Sequence, residues 1–137
     1  MWHNTFNERL ASWAKLRADV QTQPINQALT AINQWWSHVP WRPYYLHWDD
    51  QPRWPDPWQL LSDDVYCDVA KGLGILYTIS MLDRADMADA ELVLTDEGDN
   101  LVLVAKTKYI LNWSPDSIVN TFQAVKIKKK LTQYQIK

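Results

Sequence analysis

The chain has 137 residues, of which 47% are hydrophobic and 22% charged, and its net charge at pH 7 is −2. This length predicts one domain, and this balance excludes a disordered chain. A single cysteine excludes an internal disulfide, and three scattered histidines do not complete an ordinary zinc site. The sequence shows neither a membrane-length apolar run nor a secretory signal nor a basic surplus. We therefore expect no metal, no cofactor, no membrane and no nucleic-acid partner.

Two amphipathic helices are predicted before the first cluster of prolines. Apolar residues recur at helical spacing over residues 5–22. Pro24 is suited to the first turn of a second helix, and Pro40 ends it. The apolar stripe of this second helix consists of Ile25, Leu29, Ile32 and Trp36.

Residues 38–58 hold most of the seven prolines, and six of the nine tryptophans lie between Trp35 and Trp58. Regular structure cannot continue through so many prolines, so we expect a loop fixed by its aromatic rings. The rings either cover the core or form a binding surface, because Trp, Tyr and Arg dominate interface hot spots. The candidate contact residues in this loop are Trp41, Trp48, Arg53 and Trp54.

A long helix follows over residues 65–82, after one helical turn at 58–61. Asp63 or Asp64 is expected to cap it. Apolar residues occupy most of its circumference, which is typical of a buried central helix. Gly72 and Gly74 within it indicate the close approach of another element.

The apolar period changes from helical to alternating at Ala90, which predicts strands. We expect three of them at 92–95, 101–104 and 109–113, and a last one within 118–128. The fold class is therefore α+β, with N-terminal helices and a central buried helix packed on a small antiparallel sheet. The expected organisation is an N-terminal helix (1–24), a core domain (25–125) and a basic C-terminal tail (126–137). The tail has few apolar residues, so we expect it to leave the domain and bind another chain through Lys126, Lys128 and Tyr134.

Cys67 lies at the start of the buried helix, where free backbone N–H groups and the helix dipole can activate a nucleophile. A lone cysteine is also often a small buried apolar residue. The surrounding order is INQWW, an aromatic–proline loop, WPDPWQLL, CDVAKGLGILY and then NLVLVAKTKYILNW. Over residues 25–113 this order resembles the transglutaminase-like cysteine peptidases, which implies a transglutaminase- or papain-like fold.

The resemblance places the nucleophile at Cys67 but does not supply its base. The resemblance implies a histidine at the start of the strand that opens near Asn100, but no histidine occurs after His47. It implies an acidic residue at the end of the next strand, where this chain has Asn112. Thiol catalysis needs a base to take and return a proton. Cys67 and Asn112 are therefore interpreted as vestigial positions, with no catalytic residue. We expect a buried Cys67 without an imidazole in hydrogen-bond reach, and an Asn112 that bonds backbone groups near the helix start.

The string WPDPWQLL…YCDVAKGLGILYT…KYILNW also resembles small proteins encoded among the virion genes of contractile-tailed bacteriophages. This resemblance implies a structural, non-enzymatic part of the virion, in the tail or baseplate, assembled in the host cytoplasm through contacts with other virion proteins. The alternative is a cysteine peptidase or amidase that uses Cys67, with His38 or His47 as the base. A glycosidase, with paired carboxylates and a tryptophan that stacks on sugar, is a further alternative.

Overall fold

The structure, a computed structural model, describes residues 2–42, 46–63, 65–118 and 126–136. Within these ranges the α-helices are α1 (Phe6–Val20), α2 (Ile25–Ser37), α3 (Pro57–Ser62) and α4 (Asp68–Leu82). The strands are β1 (Glu91–Thr95), β2 (Asn100–Val104), β3 (Tyr109–Leu111) and β4 (Ile127–Thr132). Short 3₁₀ segments occupy Trp48–Arg53 and Ala85–Met87. The predicted α+β class is confirmed.

Helices α1 and α2 lie within their predicted segments. The side chain of Thr5 caps α1 by accepting a hydrogen bond from the backbone N–H of Glu8 at 3.2 Å. Pro24 precedes the first residue of α2 with a fixed φ and no N–H to leave unpaired. The buried face of α2 follows the predicted stripe and includes Leu29, Ile32 and Trp36.

Helix α1 shares the hydrophobic core of the rest of the chain. Its Trp13 is 1% exposed and donates a hydrogen bond to Oγ1 of Thr78 in α4 at 2.9 Å. Arg9 is also buried, and it donates to the backbone carbonyls of Leu61 and Asp63 at the C-terminal end of α3. The structure therefore corrects the predicted boundary between an N-terminal helix (1–24) and the core, because α1 buries its apolar face inside that core.

Helix α4 is the central helix, and its buried residues cover nearly its whole circumference, as predicted. Oγ1 of Thr78 accepts hydrogen bonds from the indoles of Trp13 and Trp36 and donates to the carbonyl of Gly74 at 2.7 Å. A Cβ on Gly74 would lie 2.4 Å from the ring of Trp36, and one on Gly72 would lie 2.5 Å from a β1 side chain. The prediction that these glycines mark close approaches is confirmed.

The start of α4 differs from the prediction. The helix begins at Asp68, and Cys67 is its N-cap. Tyr66 is extended because its backbone forms a parallel bridge with Trp41, so these residues are not available to a helix. The predicted cap Asp63 instead ends α3, where its N–H bonds to the carbonyl of Leu60. The other predicted cap, Asp64, lies outside the described residues.

The sheet has the order β3-β2-β1-β4, and all neighbouring strands are antiparallel. Alternation along the strands sends one set of side chains toward the helices. This set consists of Leu92, Val102, Val104, Leu111 and Leu131. Asn100 has the same parity along β2 as Val102, so it stands at the end of β2 on the face that carries α4.

The predicted basic tail is part of the fold. Residues 127–132 form edge strand β4, which pairs with β1, and Leu131 is 7% exposed on the core. Gln133 is buried and donates to the carbonyls of Met87 and Ala88 at 2.8 and 2.9 Å. The prediction that this segment leaves the domain is therefore wrong for residues 126–136. Lysines on an edge strand discourage unwanted strand pairing, which is why a folded strand resembled a tail. Most of the predicted strand 118–128 lies outside the described residues.

Candidate functional site

Cys67 is 3% exposed and acts as a structural cap of α4. Its Sγ accepts hydrogen bonds from the backbone N–H of Ala70 at 3.5 Å and of Leu46 at 3.2 Å. The second bond ties the middle of the aromatic–proline loop to the start of α4. In the part of the chain that the structure describes, no imidazole hydrogen-bonds to this sulfur. The predicted burial of Cys67 is confirmed.

Asn112 bonds the start of α4, as predicted. Its Nδ2 donates to the carbonyls of Asp68 and Asn100, both at 2.9 Å. Its backbone N–H donates to Oδ1 of the buried Asn33 in α2, also at 2.9 Å. Asn112 has a φ of +70°, in the left-handed region that asparagine tolerates better than most residues. One side chain therefore joins α4, β2 and the end of β3.

Asn100 occupies the strand position at which the resemblance expects a histidine. Its Oδ1 accepts a hydrogen bond from Nε1 of Trp48 at 2.7 Å. Trp48 is 9% exposed, and its ring packs edge-on against Trp54 at a centroid distance of 5.4 Å. A carboxamide is not protonated at neutral pH. Asn100 therefore can neither accept the thiol proton nor return it, and it cannot act as a general base.

Beside these residues lies an open polar cleft of about 380 Å³, which we call the amide cleft. It is bounded by α2, the first turn of α4, the start of β2 and the segment after β3. Its lining side chains are predominantly polar. They are Asn33, Ser37, Asp68, Lys71, Asp99, Asn100 and Asn112, with Leu101, Trp113, Ser114 and Pro115.

The predicted contact residues differ in their exposure to solvent. Among the loop tryptophans, Trp41 is 57% exposed, Trp54 is half-buried, and Trp48 is buried. The structure therefore corrects Trp48 as a partner-binding residue, because its ring is enclosed and its indole N–H is engaged. The other predicted contact residues are exposed: they are Arg53, Lys126, Lys128 and Tyr134, the last at 73%.

One exposed aromatic residue was missed. Trp58 is 51% exposed on α3, although the sequence places it in the same aromatic cluster as Trp48 and Trp54. The capping box of α3 turns it outward: the Asp56 carboxylate accepts from the N–H of Gln59, and the Gln59 side chain accepts from the N–H of Asp56. The pattern D-P-W-Q carries this box and could have shown it.

The aromatic–proline loop is fastened to the body of the fold at several points. The Tyr77 hydroxyl on α4 donates to the carbonyl of Pro55 at 2.6 Å, and burial, with a contribution from Asp56, raises the pKa of Tyr77 to about 12. Lys129 on β4 bonds Asp49 and lowers the pKa of that carboxyl. These contacts hold the loop that carries Trp41 and Trp54.

Within the described ranges, no group of three or more His, Cys, Asp or Glu residues is placed to hold a metal ion. Of the helices in those ranges, none combines the length and apolar character that crossing a bilayer requires. No family model matches the chain, and no curated protein or solved structure matches it either.

Proposed function

We propose that this protein is a non-enzymatic structural component of a bacteriophage virion, in the tail or baseplate, and that it acts through contacts with other virion proteins. The non-enzymatic assignment rests on the burial and hydrogen bonding of Cys67. Its sulfur is buried, caps α4 and receives two backbone N–H groups. The strand position that would need a base holds Asn100, whose oxygen is bonded to Trp48.

Exposed aromatic and cationic side chains support the assembly part. Trp41, Trp58 and Tyr134 are each more than half exposed. Large aromatic side chains bury much area at a low cost in rotamer entropy, so they are the usual anchors of protein interfaces. Each of these rings is available as such an anchor because more than half of its surface is exposed. The virion setting itself comes from the resemblance of WPDPWQLL…YCDVAKGLGILYT…KYILNW to phage virion proteins.

The contact surface that we propose is the C-terminal edge of the sheet. Edge strand β4 displays Lys128 and Lys130 as exposed cations; the exposed Lys126 immediately precedes the strand, and Tyr134 lies in the turn after it. Rim charges orient an approaching partner, and a central aromatic ring supplies binding energy. This arrangement suits a partner surface with acidic side chains around an apolar pocket.

Purified particles provide the test. The amount of the chain in particles assembled with Tyr134→Ala or Lys128→Glu is compared with the wild type by mass spectrometry. We expect at least about a ten-fold loss for Tyr134→Ala, as for a hot-spot anchor. The matched control is Lys108→Glu, the same charge reversal at an exposed lysine in the β2–β3 turn, and it should incorporate normally. Absence of the wild-type chain from purified particles contradicts the proposal.

The alternative, a cysteine peptidase or amidase, is separated by a thiol probe. Native Cys67 should react with iodoacetamide only when the chain unfolds, because both the backbone cap and burial protect the sulfur. Rapid alkylation of the folded chain at mildly acidic pH, together with hydrolysis of peptide bonds, would favour the enzyme.

A further inference from the structure

The amide cleft has the size of a small-molecule site, and its lining is more polar than is usual for one. Its volume of about 380 Å³ lies within the range of roughly 300–1,000 Å³ that such sites occupy. It contains hydrogen-bond donors and acceptors from four separate parts of the fold. Asn33 and Asn112 also tie these parts together, so their side chains are held in fixed positions at the cleft.

The amides of the cleft are held rigidly by only part of their hydrogen-bonding capacity. Asn33 uses both ends: its Oδ1 accepts from Asn112, and its Nδ2 donates to the carbonyl of Ser114 at 2.6 Å. Asn112 uses its Nδ2 twice, and Asn100 uses its Oδ1 for Trp48. The Nδ2 of Asn100 and the Oδ1 of Asn112 bond no other described residue. One free donor and one free acceptor are therefore fixed in place at the cleft, and fixed polar atoms bind with little entropy cost.

An immobilised indole stands next to this polar wall. Trp41 is 57% exposed, and its Nε1 donates to Oδ1 of Asp68 at 3.1 Å. Asp68 itself lines the cleft. Trp41 does not itself line the cleft, but this hydrogen bond holds its exposed ring beside a residue that does. An exposed indole beside polar groups can cover a C–H surface of a ligand whose other side is polar.

The charges of the cleft exclude an anionic ligand. Asp68 and Asp99 contribute two carboxylates, and Lys71 contributes one ammonium group. An anion would meet net repulsion, whereas hydroxyl groups can donate to carboxylates and accept from amides and ammonium. An extended peptide is less suited, because the free atoms belong to scattered side chains and do not form a ladder of backbone groups.

We propose that the amide cleft binds a neutral saccharide, with Trp41 against a C–H face of a pyranose ring and with Asn100, Asn112 and the flanking charged residues bonding its hydroxyls. The role is recognition without bond cleavage. It goes beyond the proposed assembly function. It depends on the cleft and Trp41, whereas the proposed contact surface consists of β4 and Tyr134, so a failure of one proposal leaves the other standing.

The test is an NMR titration of the isolated full chain with methyl glycosides of neutral hexoses and N-acetylhexosamines. We expect at least one glycoside to bind in the millimolar range and to shift the side-chain amides of Asn100 and Asn112 and the indole of Trp41. Trp41→Ala should weaken binding about five-fold or more. Trp58→Ala is the matched control, since it removes an equally exposed tryptophan outside the cleft, and it should bind as the wild type does.

A second variant guards against misfolding. Asn100→Asp keeps an oxygen that can accept from Trp48, replaces the free donor by an acceptor and adds a negative charge beside Asp99. It should retain the native spectrum and weaken the binding of the same glycoside. The proposal is overturned if every glycoside in the panel leaves the cleft resonances unmoved, or if Trp58→Ala weakens binding as much as Trp41→Ala. It is also overturned if tri-alanine or glucose 6-phosphate shifts these resonances at lower concentration than any neutral glycoside.

Discussion

Two glycines in the same helix should respond differently to the same substitution. Gly74→Ala and Gly72→Ala each gain about 1 kcal/mol of helix propensity. At Gly74 the new Cβ would lie 2.4–2.6 Å from three atoms of the Trp36 ring. That ring is 1% exposed, is packed against other aromatic rings, and is bonded to Thr78 at 3.0 Å, so it cannot move alone.

The magnitudes follow from what each neighbour can do. Overpacking against Trp36 costs about 1–3 kcal/mol, and a weakened buried hydrogen bond adds about 1 kcal/mol or more, so Gly74→Ala should be destabilised by about 2 kcal/mol net. At Gly72 the close atom is Cδ1 of Leu92, the end of a rotatable side chain, and Nδ2 of Asn112 is at an ordinary 3.5 Å. We expect Gly72→Ala to lie within about 0.5 kcal/mol of the wild type, because its propensity gain offsets a small adjustment.

Urea denaturation monitored by circular dichroism measures both variants against the wild type. The two midpoints should differ by the equivalent of about 2 kcal/mol, or roughly 6–10 °C in a thermal scan. If Gly74→Ala is as stable as Gly72→Ala, the close packing of Trp36 on α4 is wrong.

Four further outcomes are expected. Thr78→Val should lower the free energy of unfolding by about 2–5 kcal/mol, because two buried indole N–H groups lose their acceptor. Thr78→Ser keeps the hydroxyl and should retain most of the wild-type stability. Deleting residues 126–137 should abolish cooperative unfolding, since β4 and the Gln133 bonds are lost; a deleted chain that unfolds cooperatively contradicts β4. Lys106→Gly should stabilise by about 1 kcal/mol, since φ is +55° there, whereas Lys108→Gly should not. The raised pKa of Tyr77 means that the folded chain holds the phenol proton more tightly than the unfolded chain does. The contribution of Tyr77 to the free energy of unfolding is therefore present below about pH 10 and is lost as the pH rises toward the folded pKa of about 12. When denaturation midpoints are measured as a function of pH, Tyr77→Phe should lose less stability than the wild type between about pH 10 and pH 12.

The elements that could be predicted are those whose signal is local. Helices α1 and α2 and strands β1 and β2 follow from apolar period and from Pro24, Pro40 and the D-E-G-D-N turn. Strand β4 was missed because three of its six residues are lysines and only Leu131 is buried on the core. The start of α4 was misplaced because the pairing of Tyr66 with Trp41 depends on a contact distant in sequence.

The candidate site was predictable in part. The order of segments placed Asn112 near the start of α4, and the structure confirms that contact. The roles of Asn33 and Trp48 were not predictable, because their partners Asn112 and Asn100 lie far along the chain. Nothing in the local pattern around Trp48 distinguishes a buried ring from an exposed one, so the loop tryptophans could not be assigned individually.

The central claim is that Cys67 is a structural cap in a protein that acts by assembly. Its most direct test is the incorporation and infectivity of particles assembled with Cys67→Ala. The substitution removes a buried sulfur and a weak cap, at a cost of about 1–2 kcal/mol, and leaves the exposed contact residues unchanged. We expect wild-type amounts of the chain in particles and wild-type infectivity. Particles that contain the variant chain in normal amounts but have lost infectivity would show that the thiol itself is required and would contradict the account.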